Sequence, residues 1–257
     1  MTQTEIRQVV ANEFALFEQE YQRTTFSSVQ LMQEVNDYVD RRSGKRLRPL
    51  LVLLCNGGMD TPRAVRLAAA VEILHSASLM HDDVVDMSTE RRGQDSVNGR
   101  WGNQVAVLCG DYYLSRVMAI LNDLNDPSAS ALVDETVKTM CEGELLQLQY
   151  QSDHKFDSSR YMDIIYRKTG ALMTTCCELG NPALKQYGVC FGTAFQLRDD
   201  LLDYDSDDAS TLPPKEFLLS ELHRMVEGAV ASLDKMTPSV YINALKELAC
   251  NLLDVNL

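Results

Sequence analysis

Residues 73–86 read ILHSASLMHDDVVD, and this stretch decides the fold class predicted for the whole chain. It ends a long apolar run at helical spacing with three aspartates in a DDxxD pattern. On a helix, residues i and i+4 share one face, so Asp82 and Asp86 lie one above the other. Carboxylates stacked among apolar residues cost free energy unless a cation neutralises them. The stretch therefore predicts a helix that ends in a metal-binding cluster.

The same aspartate spacing occurs a second time, in FQLRDDLLD at residues 195–203. A single pair of this kind is commonly a solvated helix face, and Asp83 and Asp200 are also suited to cap a helix. Neither explanation accounts for the matching third aspartate of both copies. Mg²⁺ prefers hard oxygen ligands and typically takes one or two carboxylates together with substrate phosphates. We therefore expect two Mg²⁺ clusters that face each other across a cavity and hold a diphosphate.

Composition excludes several classes of function. The chain has 257 residues, 45% of them hydrophobic, and a formal charge of −13, which argues against nucleic-acid binding. Its seven cysteines have no disulfide or zinc spacing, which indicates free thiols in the cytoplasm. The start of the sequence is polar and no apolar run approaches the ~20 residues of a membrane span. We expect a cytoplasmic protein without a signal peptide.

Helical spacing of apolar residues extends along most of the chain, and strand-like alternation is not found. Glycine and proline are sparse and stand at joints such as Gly57-Gly58 and Pro213-Pro214. This pattern predicts one all-α domain over residues 1–257, a helical bundle with a ligand cavity between its helices. The predicted helical runs are 50–54, 64–79, 105–121, 133–148, 161–179 and 187–202.

Cations stand close to the first aspartates. The string GKRLRP at residues 44–49 contains three, and guanidinium and ammonium groups both bind phosphate. RRG at 91–93 adds two more, and His75 lies two helical turns before Asp82. Each feature has a plainer explanation: a solvated turn, a basic helix end, or a core histidine. Lys168-Thr169 and Gln196 are weak signals when each is taken alone.

Taken together and in order, GKRLRP, ILHSASLMHDDVVD, RRG, EGELLQLQ, KTGAL and FQLRDDLLD resemble the motif set of the trans-polyprenyl diphosphate synthases. The resemblance runs from about Gly44 to Asp203. It implies the all-α isoprenoid synthase fold with a central cavity, and a Mg²⁺-dependent prenyltransferase. In that reaction an allylic diphosphate ionises and isopentenyl diphosphate attacks the carbocation. The resemblance also implies a homodimer whose product passes to membrane enzymes.

The resemblance assigns a role to each candidate residue. The implied Mg²⁺ ligands are Asp82, Asp86 and, in support, Asp83 in the first cluster, and Asp199, Asp200 and Asp203 in the second. The implied isopentenyl diphosphate site comprises Lys45, Arg48 and His75, with Gly44, Arg46 and Arg92 near it. The allylic side comprises Arg91 for binding and Lys168, Thr169 and Gln196 as catalytic residues.

Two small residues concern product length. In the family, bulky aromatics at the positions of Ala77 and Ser78 stop chain growth early. Their absence implies a product longer than farnesyl, a quinone side-chain precursor. The helical wheel alone favours Ser78, which lies nearly on the Asp82 face. The competing explanation is that small residues here only permit close helix packing.

One family feature is missing, and two other functions compete. The family usually carries a stretch with a GK and a further lysine between the second cluster and TLP, whereas Thr211 follows Asp203 after only a short segment. A terpene cyclase would use a different second metal motif and would not need GKRLRP. An inactive regulatory subunit of a heteromeric prenyl synthase is expected to lose aspartates. Because both DDxxD copies are intact, we favour the prenyltransferase.

Overall fold

The computed structural model describes residues 1–41, 44–91, 93–150, 157–204 and 212–254. Nearly all of its secondary structure is helical, as the sequence predicts. The α-helices are α1 (Gln3–Gln8), α2 (Ala11–Thr25), α3 (Gln30–Arg41), α4 (Leu47–Asn56), α5 (Thr61–Val85), α6 (Val97–Trp101), α7 (Asn103–Leu124), α8 (Pro127–Tyr150), α9 (Ser158–Ile165), α10 (Ala171–Gly180), α11 (Lys185–Leu202), α12 (Lys215–Ser232) and α13 (Val240–Cys250).

Shorter elements complete the secondary structure. The strands β1 (Glu90–Arg91) and β2 (Gln94–Asp95) form an antiparallel hairpin, with Arg91 opposite Gln94. The sequence predicted no strand, so this hairpin departs from the prediction. Single 3₁₀ turns follow α10, α12 and α13, at Pro182–Leu184, Leu233–Lys235 and Asn251–Leu253.

Residues 12–50 and 60–126 form one compact unit. Its central element is α5, which begins where the Asp60 carboxylate accepts a hydrogen bond from the Arg63 amide, 3.2 Å away. Most side chains of α5 between Ala64 and Met80 are buried, and the helix packs along α7. This unit contains the first DDxxD segment at the carboxyl end of its central helix.

Residues 1–11, 51–59 and 127–257 form the other unit. Its central element is α11, which packs against α10 and α12. The rings of Tyr187 and Phe191 stack with centroids 5.6 Å apart, and the Tyr187 hydroxyl donates to the Leu245 carbonyl over 2.8 Å. The second DDxxD segment ends this helix. The single domain over residues 1–257 stays a prediction.

A π-helical turn, Tyr166–Gly170, joins α9 to α10. The sequence predicted one uninterrupted helix over 161–179. Single π-turns inside α-helices are rare and occur frequently at functional sites. Gly143 of α8 permits close packing here, because a Cβ at this position would lie 2.7 Å from the Arg167 Cβ. The turn carries Lys168 and Thr169, two of the predicted site residues.

None of the helices in the described ranges combines the length and the apolar character that a membrane crossing requires.

Candidate active site

The first DDxxD segment, residues 82–86, forms the carboxyl end of α5. The Asp86 amide donates to the Asp82 carbonyl over 2.8 Å, so the helical turn continues through the segment. This geometry places the two carboxylates on one face, as the spacing predicts. Asp82 is half-buried and Asp86 is exposed. Both can therefore approach a solvated cation.

Asp83 has a different environment. It is buried, and its Oδ1 accepts a hydrogen bond from Arg91 Nε at 2.9 Å and forms an ion pair with Arg91 Nη2, 2.8 Å away. The Asn98 amide donates to the Asp83 carbonyl over 3.1 Å, which ties the segment after α5 back to the helix end. The hairpin strand β1 thus delivers Arg91 to the first cluster. Arg92 lies outside the described residues.

The second aspartate segment closes α11 in the same manner. The Asp203 amide donates to the Asp199 carbonyl over 3.0 Å, so these two carboxylates also lie one turn apart. At Asp200, Oδ1 accepts from the Gln196 amide over 2.7 Å and Oδ2 accepts from the Tyr161 hydroxyl. Asp200 is therefore oriented by two neutral donors.

These bonds continue into a network. The Thr169 hydroxyl donates to Gln196 Oε1 over 2.6 Å, and the Gln196 amide in turn donates to Asp200. Burial and the Asp200 carboxylate raise the pKa of Tyr161, so its phenol stays protonated and remains a donor. The structure thus joins three predicted site residues, Thr169, Gln196 and Asp200, through direct hydrogen bonds.

Tyr161 is a site residue that the sequence did not identify. It lies seven positions before Lys168, a spacing that places two residues on one face of a regular helix. The chain contains ten tyrosines, and Tyr161 lies within none of the recognised motifs. Only the fold, by setting α9 beside α11, shows that its hydroxyl reaches Asp200.

Lys168 is held by the EGELLQLQ segment of α8. Its ammonium lies 2.9 Å from Glu144 Oε1 and donates to Gln147 Oε1 over 2.8 Å. The neighbouring Arg167 points to Glu142, with 2.7 Å between Nη1 and Oε2. The motif on α8 therefore supplies acceptors that orient the cation of the π-turn.

The GKRLRP string separates into exposed and buried cations. Gly44 and Lys45 are exposed and Arg48 is half-buried at the start of α4, whereas Arg46 is buried. The Arg46 guanidinium contacts Glu72 of α5 instead of solvent. Arg46 thus lies in the core, and its place near the isopentenyl diphosphate site stays a prediction.

The residues expected to set product length also differ in burial. The Ala77 side chain is fully buried at 0% exposure, whereas Ser78 is half-buried and donates to the His75 carbonyl over 2.9 Å. Burial favours the packing explanation for Ala77. Ser78, which the helical wheel favours, keeps access to space outside the packed core.

The carboxylates fit Mg²⁺ on their donor chemistry. Among the described residues, no three acidic, histidine or cysteine side chains converge on one point. Mg²⁺ does not need such a cage, because one or two carboxylates with substrate phosphates and water complete its octahedron. The pairs Asp82 with Asp86 and Asp199 with Asp203 each supply that number of oxygen ligands.

Comparison with known proteins identifies the family. The family model described as Polyprenyl synthetase matches residues 29–214. The chain belongs to this family. Octaprenyl diphosphate synthase of Escherichia coli (strain K12) is 37% identical over 193 residues, which are 70% of this chain and 60% of that relative. The polyprenyl synthetase described here thus spans 60% of the length of this curated relative.

Two solved structures share the fold of this polyprenyl synthetase. A decaprenyl diphosphate synthase from Rhodobacter capsulatus superposes with a TM-score of 0.91 and 25% identity, covering 100% of both chains. The second is a polyprenyl synthase from Caulobacter crescentus CB15, complexed with calcium and isoprenyl diphosphate. It superposes with a TM-score of 0.90 and 25% identity, covering 98% of this chain and 97% of that one. These likenesses confirm the predicted isoprenoid synthase fold.

Proposed function

We propose that this polyprenyl synthetase condenses isopentenyl diphosphate with an allylic diphosphate to give a trans-polyprenyl diphosphate longer than farnesyl. The observation that carries the proposal is the pair of DDxxD segments, each closing a helix with two carboxylates one turn apart. The names of the relatives, octaprenyl and decaprenyl diphosphate synthase, support a long product.

The aspartates would hold Mg²⁺ against the allylic diphosphate. Bound by Asp82 with Asp86 and by Asp199 with Asp203, the metal would neutralise the charge that develops on the departing diphosphate. Asp83 and Asp200 support these pairs through their bonds to Arg91 and to Gln196 and Tyr161. Calcium in the Caulobacter crescentus structure supports a divalent cation in this family.

The π-turn residues serve the allylic substrate. Lys168 binds its diphosphate, and Glu144 and Gln147 keep the ammonium in one orientation before substrate arrives. Thr169 and Gln196 are fixed by their mutual hydrogen bond, so their dipoles need no reorganisation when the carbocation forms. Arg91, already oriented by Asp83, is the further cation that we assign to the allylic diphosphate.

The second substrate, isopentenyl diphosphate, would be bound by the exposed Lys45 together with Arg48 and His75, and with Gly44 and Arg92 nearby. Lys45 and Arg48 flank the start of α4, and His75 lies on α5. All of these residues except Arg92, which is outside the described ranges, belong to the same compact unit. Two positive side chains and an imidazole suit the anionic diphosphate headgroup.

Substrate sorting tests the proposal. The chain is incubated with Mg²⁺, isopentenyl diphosphate and a geranyl or farnesyl starter, and the products are separated by chromatography. Lys45→Ala should raise KM mainly for isopentenyl diphosphate and Lys168→Ala mainly for the allylic diphosphate. Lys138→Ala, at an exposed ion pair with Glu135, is the matched control. Failure to form polyprenyl products, or cyclised products instead, contradicts the proposal.

Assembly and location complete the proposal. A homodimer is supported by Val107 and Met118 of α7, exposed apolar side chains eleven positions apart on one helix face. The seven cysteines are free thiols, which supports the reducing cytoplasm as location. We also propose that the product passes to membrane enzymes, because a long polyprenyl tail partitions into lipid. Sedimentation of the purified chain tests the dimer.

A further inference from the structure

The buried cation of the GKRLRP string has a role that differs from those of its neighbours. The Arg46 side chain is 3% exposed. Its guanidinium carbon lies 4.2 Å from the centroid of the Tyr21 ring and 5.8 Å from that of Phe17, within the range of cation–π contact. A diphosphate in solvent therefore has no access to this guanidinium.

Carboxylates accept hydrogen bonds from both terminal nitrogens of Arg46, and a third carboxylate lies near its Nε. Nη1 donates to Glu72 over 3.0 Å, Nη2 donates to Asp40 over 2.5 Å, and Nε lies 3.9 Å from Glu18. Burial lowers the pKa of Arg46, but Glu72 and the other neighbours outweigh burial and hold it above its ordinary value. The guanidinium stays charged, and three acids more than balance that charge.

The backbone at Arg46 shows how firmly this side chain is held. Its φ of 47° lies in the left-handed region, which a residue with a Cβ rarely adopts. Such a conformation persists only when surrounding contacts determine it. The contacts of the buried side chain hold the backbone in this conformation. The preceding residue, Lys45, remains exposed.

Glu72 connects this anchor to the proposed isopentenyl site. It lies on α5 three positions before His75, so the two residues are neighbours on the helix surface. The Arg46–Glu72 contact therefore ties the string that carries Lys45 and Arg48 to the helix that carries His75. We propose that Arg46 is a positioning residue, which with Glu72 sets the spacing of the isopentenyl diphosphate ligands and does not touch the substrate.

This positioning role rests on the isopentenyl diphosphate site proposed above. It predicts a loss of affinity for isopentenyl diphosphate where the change in charge alone predicts a gain. Glu72→Gln removes a negative charge near an anion site, so electrostatics alone would tighten binding of isopentenyl diphosphate. If Glu72 positions the site, the same change should weaken that binding roughly 10-fold, because misplacement of ligands is costly. Arg46→Met should weaken it similarly, and Arg46→Lys, which lacks the planar fork, less so.

Two calorimetric titrations of the full chain test the positioning role. One uses isopentenyl diphosphate, and the other uses geranyl diphosphate with Mg²⁺. We expect Glu72→Gln to change affinity for geranyl diphosphate less than about 2-fold. Asp126→Asn is the control, since it removes one charge from the Arg63–Asp126 pair of the same unit. Unchanged or tighter binding of isopentenyl diphosphate overturns the proposal, as does an equal loss for both ligands.

A further variant separates failure of the site from failure of the positioning role. Lys45→Ala examines the site itself: if it leaves the affinity for isopentenyl diphosphate unchanged, the proposed site fails. If Lys45→Ala weakens binding but Glu72→Gln does not, only the positioning role of Arg46 fails. Should Arg46→Met not fold, Glu72→Gln still decides, because it keeps the volume of the buried side chain.

Discussion

Asp83 and Asp200 occupy the same place in their DDxxD segments, yet different groups hold them. Asp83 is buried and meets the guanidinium of Arg91, a positive charge brought by the hairpin. Asp200 is half-buried and meets a phenol and an amide, both neutral. The second segment also has a cation nearby, because Arg198 Nη1 lies 3.9 Å from Asp199 Oδ1. We infer that Asp83 contributes mainly to the stability of the fold, whereas Asp200 contributes mainly to the orientation of the metal ligands.

The largest expected effect tests what the two segments have in common. Asp82→Ala and Asp199→Ala should each reduce the condensation rate on the order of 10³-fold, because each removes several kcal/mol of charge stabilisation. A chelator should abolish turnover of the parent chain. Steady-state rates at saturating Mg²⁺ measure the effect. Undiminished turnover by either variant would show that its segment does not hold the metal.

The second-largest expected effect distinguishes the two DDxxD segments from each other. Asp200→Asn should raise the Mg²⁺ concentration needed for half-maximal rate at least roughly 10-fold, as for other groups that support metal ligands. Asp83→Asn should instead lower thermal stability, by about 1–2 kcal/mol or roughly 3–6 °C, because Arg91 loses its charged partner. Mg²⁺ titrations and melting curves of both variants are compared. Identical behaviour of the two variants would remove the distinction.

A smaller effect is expected at Tyr161, the hydrogen-bond donor to Asp200 that the sequence did not identify. Tyr161→Phe keeps the ring, whose centroid lies 6.4 Å from that of Phe217, and removes the hydroxyl that orients Asp200. We expect a rise of roughly 3- to 10-fold in the Mg²⁺ requirement, with little change in melting temperature. Tyr150→Phe, at a partly exposed tyrosine of α8, is the control. An unaltered Mg²⁺ titration would show that the bond does not matter.

The smallest expected change in rate comes from substitutions that alter product length. They lie on α5, just before the first DDxxD segment. Ser78→Tyr should shorten the products and leave the first condensation intact, because the half-buried serine borders open space. Ala77→Tyr should mainly destabilise the fold by overpacking, by about 1–3 kcal/mol or more. Chromatography of the products and melting curves distinguish the two. Shorter products from a stable Ala77→Tyr variant would show that the tail passes Ala77.

Local pattern was sufficient to predict part of this molecule. The spacing of Asp82 and Asp86 already places both on one helix face, and the joint at Gly57-Gly58 separates α4 from α5 as predicted. These features depend on residues close together in sequence. The motif order likewise sufficed for the family, which the match over residues 29–214 confirms.

Other features depend on contacts between distant segments. The burial of Arg46 requires Tyr21 and Glu72, which the string GKRLRP does not contain. The bond from Tyr161 to Asp200 joins residues on separate helices. The π-turn was missed because apolar spacing over 161–179 is compatible with a regular helix. The turn packs closely against Gly143 of α8 and Gly192 of α11, which are distant in sequence. Tertiary contacts, and not local propensity, determine these features.

The π-turn at Tyr166–Gly170 also changes the sequence spacing of the helical rod that contains it. A π-turn holds one more residue than an α-helical turn, and its wider backbone ring absorbs that residue. Residues that share one face of the rod are therefore displaced by one sequence position between α9 and α10. Deleting one residue of the turn would remove this displacement and restore regular α-helical spacing. Lys168 and Thr169, two of the proposed catalytic residues, lie at the point where this spacing changes.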